Sequence, residues 1–296
     1  MTLPVMDDYN DVLFDMKIHG GLMSLKLYLD NVRRIRPTVH CITSAVSAND
    51  CANALIACGA RGIMSDQAED AVDITAHCGG LNISIGTLYA QSIKAMFEAG
   101  DRAGELGRPI LLDPLGAGTS ALRTKTAHRL AEDLPLTVIR GNLKEIKILA
   151  SGSGSAHAVP VIDDDHITKE NLASVSAFIK QFAEASQCVV AVSGETDIIS
   201  DGNRLAVVQS GDPMMSDIAG CGSMVSAVTT AFVIANPEDI FMAVTAAFTA
   251  CGVCGEIAKN HLRPEEGNAS FRNRLIDAIY HLNGEILDKN ARYEIL

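Results

Sequence analysis

Tryptophan is absent from this 296-residue chain, and basic side chains are scarce: 24 Lys and Arg stand against 36 Asp and Glu, a formal charge of −12. Such an acidic balance argues against partners that need a basic patch to meet phosphates, nucleic acids and anionic membranes among them. Small molecules are the expected partners. The first twenty residues, MTLPVMDDYNDVLFDMKIHG, lack the basic start and apolar run of a signal peptide, and no apolar stretch is read as reaching the roughly 20 residues that cross a bilayer. The expectation is a soluble, cytoplasmic protein. The eight cysteines (41, 51, 58, 78, 188, 221, 251 and 254) are scattered, which argues against a disulfide framework and for small core residues in a reducing compartment. Cys251 and Cys254 form a CxxC inside AVTAAFTACGVCGEIA, a small-residue helical pattern with no second ligand pair beside it, and read as packing.

What is present suffices for a core. Hydrophobic residues make up 48% of the chain and charged residues 20%, which excludes a disordered polymer. No internal repeat stands out, and residues 150–166, ASGSGSAHAVPVIDDDH, read as a loop. Before it, apolar runs such as TVHCIT, LNISIG, PILLDP and LTVIRGN alternate with amphipathic segments, including helices near 89–106 and 122–133. That is the rhythm of a parallel sheet. After it come a helix near 169–186, the run CVVAVSG, a hairpin around Asp201-Gly202, and helices near 222–235, 238–260 and 264–288. The expected architecture is a three-layer α/β/α domain over residues 21–296, preceded by a 1–20 extension.

Ligands of open α/β sheets sit beyond the C-terminal ends of strands, so residues just after each apolar run are the candidates. In ILLDPLGAG, Asp113 ends a strand and can hold Mg²⁺, or else cap a turn. In VIRGNLKEI, Arg140 can fork onto a phosphate, while Asn142 and Glu145, three apart, suit either a metal and nucleotide site or a capping box. In AVSGETD, Ser193 offers a hydroxyl at the sheet rim or simply enters a hairpin. In SDIAGCGSMVSAV, Gly220 and Gly222 permit a turn that aims backbone N–H groups at an anion, with the start of a helix behind them. GxxxxGK[ST] is missing, which excludes a P-loop, and the GxG opens a late helix, which argues against a dinucleotide-binding fold.

Taken in order, the segments VHCITSAVSANDCANALIACGARGIM, LNISIGTL, PILLDPLGAG, VIRGNLKEI, AVSGETDIISDG and IAGCGSMVSA resemble the hydroxyethylthiazole kinases of the ribokinase-like superfamily. The resemblance implies an ATP-dependent transfer of phosphate to the alcohol of 4-methyl-5-(2-hydroxyethyl)thiazole. It implies ATP contacts at Arg140, Ser193, Gly222 and Asn142, and Mg²⁺ near Asp113 and Glu145. Thiazole contacts fall at Met64 and Gly220, with Ser44 and Val46 in a pocket shared between subunits of a homotrimer. Ser223 stands where similar kinases carry the Cys that takes the alcohol proton. Asp217 stands for a usual Lys, Ala219 for a Thr, Ser193 for a Thr, and HCITSA departs from a pattern in which Asn follows Ile-Thr. A kinase for another small heterocyclic alcohol, or a non-catalytic binding homologue, stays open.

Overall fold

The computed structural model describes residues 24–152 and 165–296; the 1–20 extension and most of the 150–166 loop fall outside them. The chain enters through helix α1 (Lys26–Ile35) and then alternates strands and helices: β1 (Thr38–Ile42), α2 (Ala48–Cys58), β2 (Arg61–Met64), α3 (Ala68–His77), β3 (Gly80–Ser84), α4 (Ala90–Glu105), β4 (Ile110–Asp113), α5 (Ala121–Asp133), β5 (Val138–Asn142), α6 (Leu143–Gly152), α7 (Leu172–Ser186) and β6 (Val189–Ser193). The ribbon β7 (Asp197–Ser200) and β8 (Leu205–Val208) follows, then α8 (Cys221–Ala235), α9 (Ile240–Asn260), α10 (Asn268–His281), α11 (Gly284–Asn290) and β9 (Tyr293–Ile295).

The nine strands form one sheet in the order β2-β1-β3-β4-β5-β6-β7-β8-β9. All pairs from β2 to β6 are parallel, and the last three are antiparallel. Strand β3 shows why: GLNIS is buried at all five residues, as a strand covered by helices on both faces must be. Alternate residues feed two cores. Leu111, Val138 and Ala191 point to the side of α1, α2 and α8–α11, while Leu112, Ile139 and Val190 point to the side of α3–α7. This is the expected three-layer α/β/α arrangement with a mostly parallel sheet.

Two helical expectations are corrected. The segment read as one helix over 264–288 is two, because Asn283 accepts the Ile286 N–H as the cap of α11 and turns the chain at Asn-Gly. Helix α9 is 21 residues long with a mean hydropathy of 1.7, so an apolar stretch of bilayer length does exist. Its apolar character comes from Ile240, Phe241, Met242, Val244, Phe248, Val253 and Ile257 together with Ala and Cys, with Thr and Gly interspersed. Most of it, 83% of the apolar window, is buried inside the protein as a core helix. It begins at Ile240, with Asp239 accepting the Met242 N–H, rather than directly after Pro237. The hairpin at Asp201-Gly202 is present as β7 and β8, while α1 and β9 are additions that the sequence pattern did not reveal.

Candidate active site

Helix α8 is buried on nearly every side and lies along β3 with its direction reversed. Ile234 near its end covers Gly80 at the start of β3, whereas Ser226 near its beginning donates to Asp113 Oδ2 at 3.3 Å, beside Ser84 at the end of β3. The N-terminus of α8 is thereby placed at the C-terminal ends of the strands. There its orphan N–H groups and the positive end of its dipole face the rim of the sheet.

Two glycines make that placement possible. Gly220 sits at φ 83°, in the left-handed region, and a Cβ there would come within 2.6 Å of Ser47 Cβ at the start of α2. Gly222 lies in the first turn of α8, where a Cβ would stand 2.7 Å from Arg140 Nη1. The guanidinium therefore rests directly on the helix start. Gly222→Ala is expected to leave the fold intact and, at the ATP site that the sequence resemblance implies, to weaken nucleotide binding by about tenfold or more, the cost of displacing one charge-assisted hydrogen bond. Titration calorimetry with ATP measures it.

Arg140 Nη2 donates to Ser193 Oγ at 2.9 Å, while Arg140 Nε is buried without a partner. Across the same face Asp113 is fully buried, and its Oδ1 has no hydrogen-bond partner. Burial raises the Asp113 carboxyl to about 6, Arg140 offsetting part of that rise and Glu145 adding to it. Ser223 is 1% exposed with an unpartnered hydroxyl, one turn before Ser226 on α8. Cys221 does not replace it as a base, since burial pushes its thiol up to about 11. Cys51 on α2, near Asp113, is pushed up to about 12 in the same way.

Asn142 and Glu145 form the capping box: Glu145 Oε2 accepts the Asn142 N–H at 2.9 Å, and Asn142 Oδ1 accepts the Glu145 N–H at 2.9 Å. Glu145 Oε1 also accepts the Gly116 N–H at 2.7 Å, tying the turn after Asp113 to the end of β5. Both oxygens thus carry a backbone donor, and Glu145 ties these loops together. Among the described residues no group of three or more His, Cys, Asp and Glu side chains forms a cage for a metal ion. Mg²⁺ needs none, because it binds one or two carboxylates together with substrate phosphates. The unpartnered Oδ1 of Asp113, amid hard oxygen donors, fits that use.

The remaining candidates lie at the ends of β1 and β2, where the strand order reverses between β1 and β3. Ser44 follows β1 and its Oγ pairs with Thr87 Oγ1, which follows β3, at 2.7 Å. Met64 ends β2 half-buried, and Val46 is 70% exposed. His40, part of the same motif, does not face this rim: it points to α3, with Nδ1 on Thr75 Oγ1 at 2.8 Å and Nε2 on the Ser65 carbonyl at 2.9 Å. Sequence reasoning missed Ser226, Ser84, Asn82, Thr229 and Asp197 on the α8 side of the sheet, and Ser84, Asn82 and Thr229 carry buried unpartnered polar atoms. The three-residue spacing of Ser223, Ser226 and Thr229 in a mostly apolar helix was the available signal.

A cation fork, a helix start and a buried carboxylate thus meet at the rim of a three-layer sheet. The pyridoxal kinase from Staphylococcus aureus, in complex with AMP-PCP and pyridoxal, shares this fold at a TM-score of 0.56 over 88% of this chain and 98% of that one, with 14% identity. The chain belongs to the hydroxyethylthiazole kinase family, whose model matches residues 29–285. It is 45% identical over 270 residues to the hydroxyethylthiazole kinase of Clostridium acetobutylicum, covering 91% of this chain and 99% of that one. The Clostridium beijerinckii hydroxyethylthiazole kinase is 39% identical over 261 residues, 88% of this chain and 93% of that one. The structure of the hydroxyethylthiazole kinase protein from Pyrococcus horikoshii OT3 matches with a TM-score of 0.81 and 31% identity, covering 92% of this chain and 98% of that one.

Proposed function

We propose that this kinase transfers the terminal phosphate of ATP to the hydroxyl of 4-methyl-5-(2-hydroxyethyl)thiazole, within the cytoplasm and with Mg²⁺. The observation that carries this reading is the placement of Arg140. Its fork rests on the Ser193 hydroxyl and on the first turn of α8, on the same face as the unpartnered oxygen of Asp113. Phosphoryl transfer asks mainly for positioning and for charge held where the transferring group develops its own. Arg140, the N–H groups of α8 and Ser193 supply those positive and donor groups.

Asp113, with its unpartnered Oδ1, would hold Mg²⁺, with Glu145, already engaged by two backbone N–H groups, beside it. The ion, when bound, neutralises charge on the nucleotide phosphates. Ser223 holds the acceptor alcohol by hydrogen bond, its hydroxyl being buried and free of other partners. As a base it is weak, since a serine hydroxyl stays protonated at neutral pH. Met64, Ser44, Val46 and Gly220 surround the heterocycle, and the exposed apolar side chains of Val46 and Tyr89 support a pocket completed by a neighbouring subunit of a homotrimer. Residues 21–296 act as one kinase domain, and 1–20 are an N-terminal extension.

A second reading keeps the chemistry and changes the acceptor to another small heterocyclic alcohol, favoured by the Ser44 and Thr87 hydroxyl pair at the rim. Thermal shifts with a panel of alcohols in the presence of a non-hydrolysable ATP analogue separate the two, because the true ligand stabilises by RT ln(1 + [L]/Kd). The thiazole alcohol is expected to give the largest shift. A larger shift from another alcohol would favour the second reading.

A further inference from the structure

Asp197 is a charged group at the nucleotide rim to which the reaction as described gives no role. It opens β7, and the register that pairs Val192 with Ile198 sets it opposite Ser193. Strand alternation then brings both side chains to the face shared with Arg140 and α8. Asp197 Oδ1 accepts the Gly194 N–H at 3.0 Å, which closes the turn between β6 and β7 around Ser193. Burial pushes its carboxyl up to about 7, partly offset by the Gly194 hydrogen bond and by Arg140. Among the described residues Arg140 is the charged group whose field reaches it from the neighbouring strands. Arg140 therefore stands in the field of two carboxylates, Asp113 and Asp197, and among the described residues its side-chain hydrogen-bond partner is Ser193.

We propose that Asp197 is a positioning residue of the nucleotide site: it anchors the Ser193–Gly194 turn and, when ionised, competes with the nucleotide phosphates for Arg140. The inference rests on Arg140 and Ser193 being ATP contacts. Its sign follows from charge. At pH 8 the Asp197 carboxylate offsets part of the Arg140 charge and nucleotide binds less tightly; at pH 6 the carboxyl is neutral and Arg140 faces the phosphates unopposed. Reciprocally, an arriving polyanion disfavours ionised Asp197 and draws a proton onto it.

Asp197→Asn keeps the acceptor for Gly194 and removes the charge, whereas Asp197→Ala removes both. Calorimetric Kd values for ATP, measured on the full chain from pH 6 to pH 8, test the proposal, and comparison at each pH cancels the ionisation of ATP itself. The ratio of the wild-type Kd to that of Asp197→Asn is expected to be about five at pH 8 and to fall to about one at pH 6, the range expected of one partly screened charge pair. Asp197→Ala is expected to weaken ATP at both pH values. A ratio that does not change with pH, or weaker binding by Asp197→Asn at pH 8, overturns the role of Asp197 while the nucleotide site stands. A wild type that binds no ATP at any pH overturns the nucleotide site and this inference with it.

Discussion

Ser223→Cys is expected to raise kcat by about 10²-fold with little change in KM for the alcohol, the lower end of the roughly 10²–10⁴-fold that a positioned general base contributes. The hydroxyl at 223 is buried and unpartnered at the start of α8, so a thiol there would displace no existing hydrogen bond. A thiol there is the better proton acceptor, because its conjugate base is reached far more easily than an alkoxide. The lower end is expected because Cys221, in the same turn and with Arg140 nearby, is still held at about 11 by burial, and a thiol at 223 meets similar surroundings. Initial rates under saturating ATP measure the effect. An effect on kcat alone assigns the position to the transition state, whereas an unchanged rate means that the base is not what Ser223 lacks.

Arg140→Ala is expected to lower kcat/KM by about 10²–10³-fold, the cost of removing one preorganised donor from the site of charge development. The guanidinium carries more than one duty. It reaches Ser193 across β5 and β6, lies against Gly222, and lowers the carboxyls of both Asp113 and Asp197. Its removal takes away the cation that lowers both carboxyls, and their response is to take up protons rather than remain charged in a buried site. Circular dichroism and steady-state kinetics together separate a folded, inactive enzyme from an unfolded one. Wild-type kinetics in a folded Arg140→Ala protein would remove Arg140 from the mechanism.

Much of this fold was legible because its information is local and periodic. Buried parallel strands such as ILLD and VVAVS are continuous apolar runs, and helices between them show one apolar face, so the layer order follows from the alternation. The break in the C-terminal helix was equally local, at Asn283-Gly284, but a long amphipathic pattern running across it outweighed two residues of turn signal. Strand β9 was not legible at all, since YEI becomes a strand only by pairing with β8, almost ninety residues earlier in the chain.

For the site, the sequence placed Asp113, Arg140, Ser193, Gly220, Gly222 and Ser223 at strand ends and a helix start, and the fold puts all six at one end of the sheet. It could not decide between the two uses of Glu145. The structure shows the capping box formed and, beyond it, a bond to Gly116 that joins two loops 29 positions apart. Ser226, Ser84 and Asp197 escaped notice because their meaning depends on which strands lie side by side. The spacing of Ser223, Ser226 and Thr229 was visible in the sequence, but that Ser226 faces Asp113 was not.

³¹P NMR of the full chain with ATP, Mg²⁺ and 4-methyl-5-(2-hydroxyethyl)thiazole observes the proposed phosphate transfer directly. The expected result is ADP and the phosphate monoester of the thiazole alcohol in equal amounts, both suppressed by Arg140→Ala. ADP without the ester, or no product above that of the Arg140→Ala protein, would contradict it.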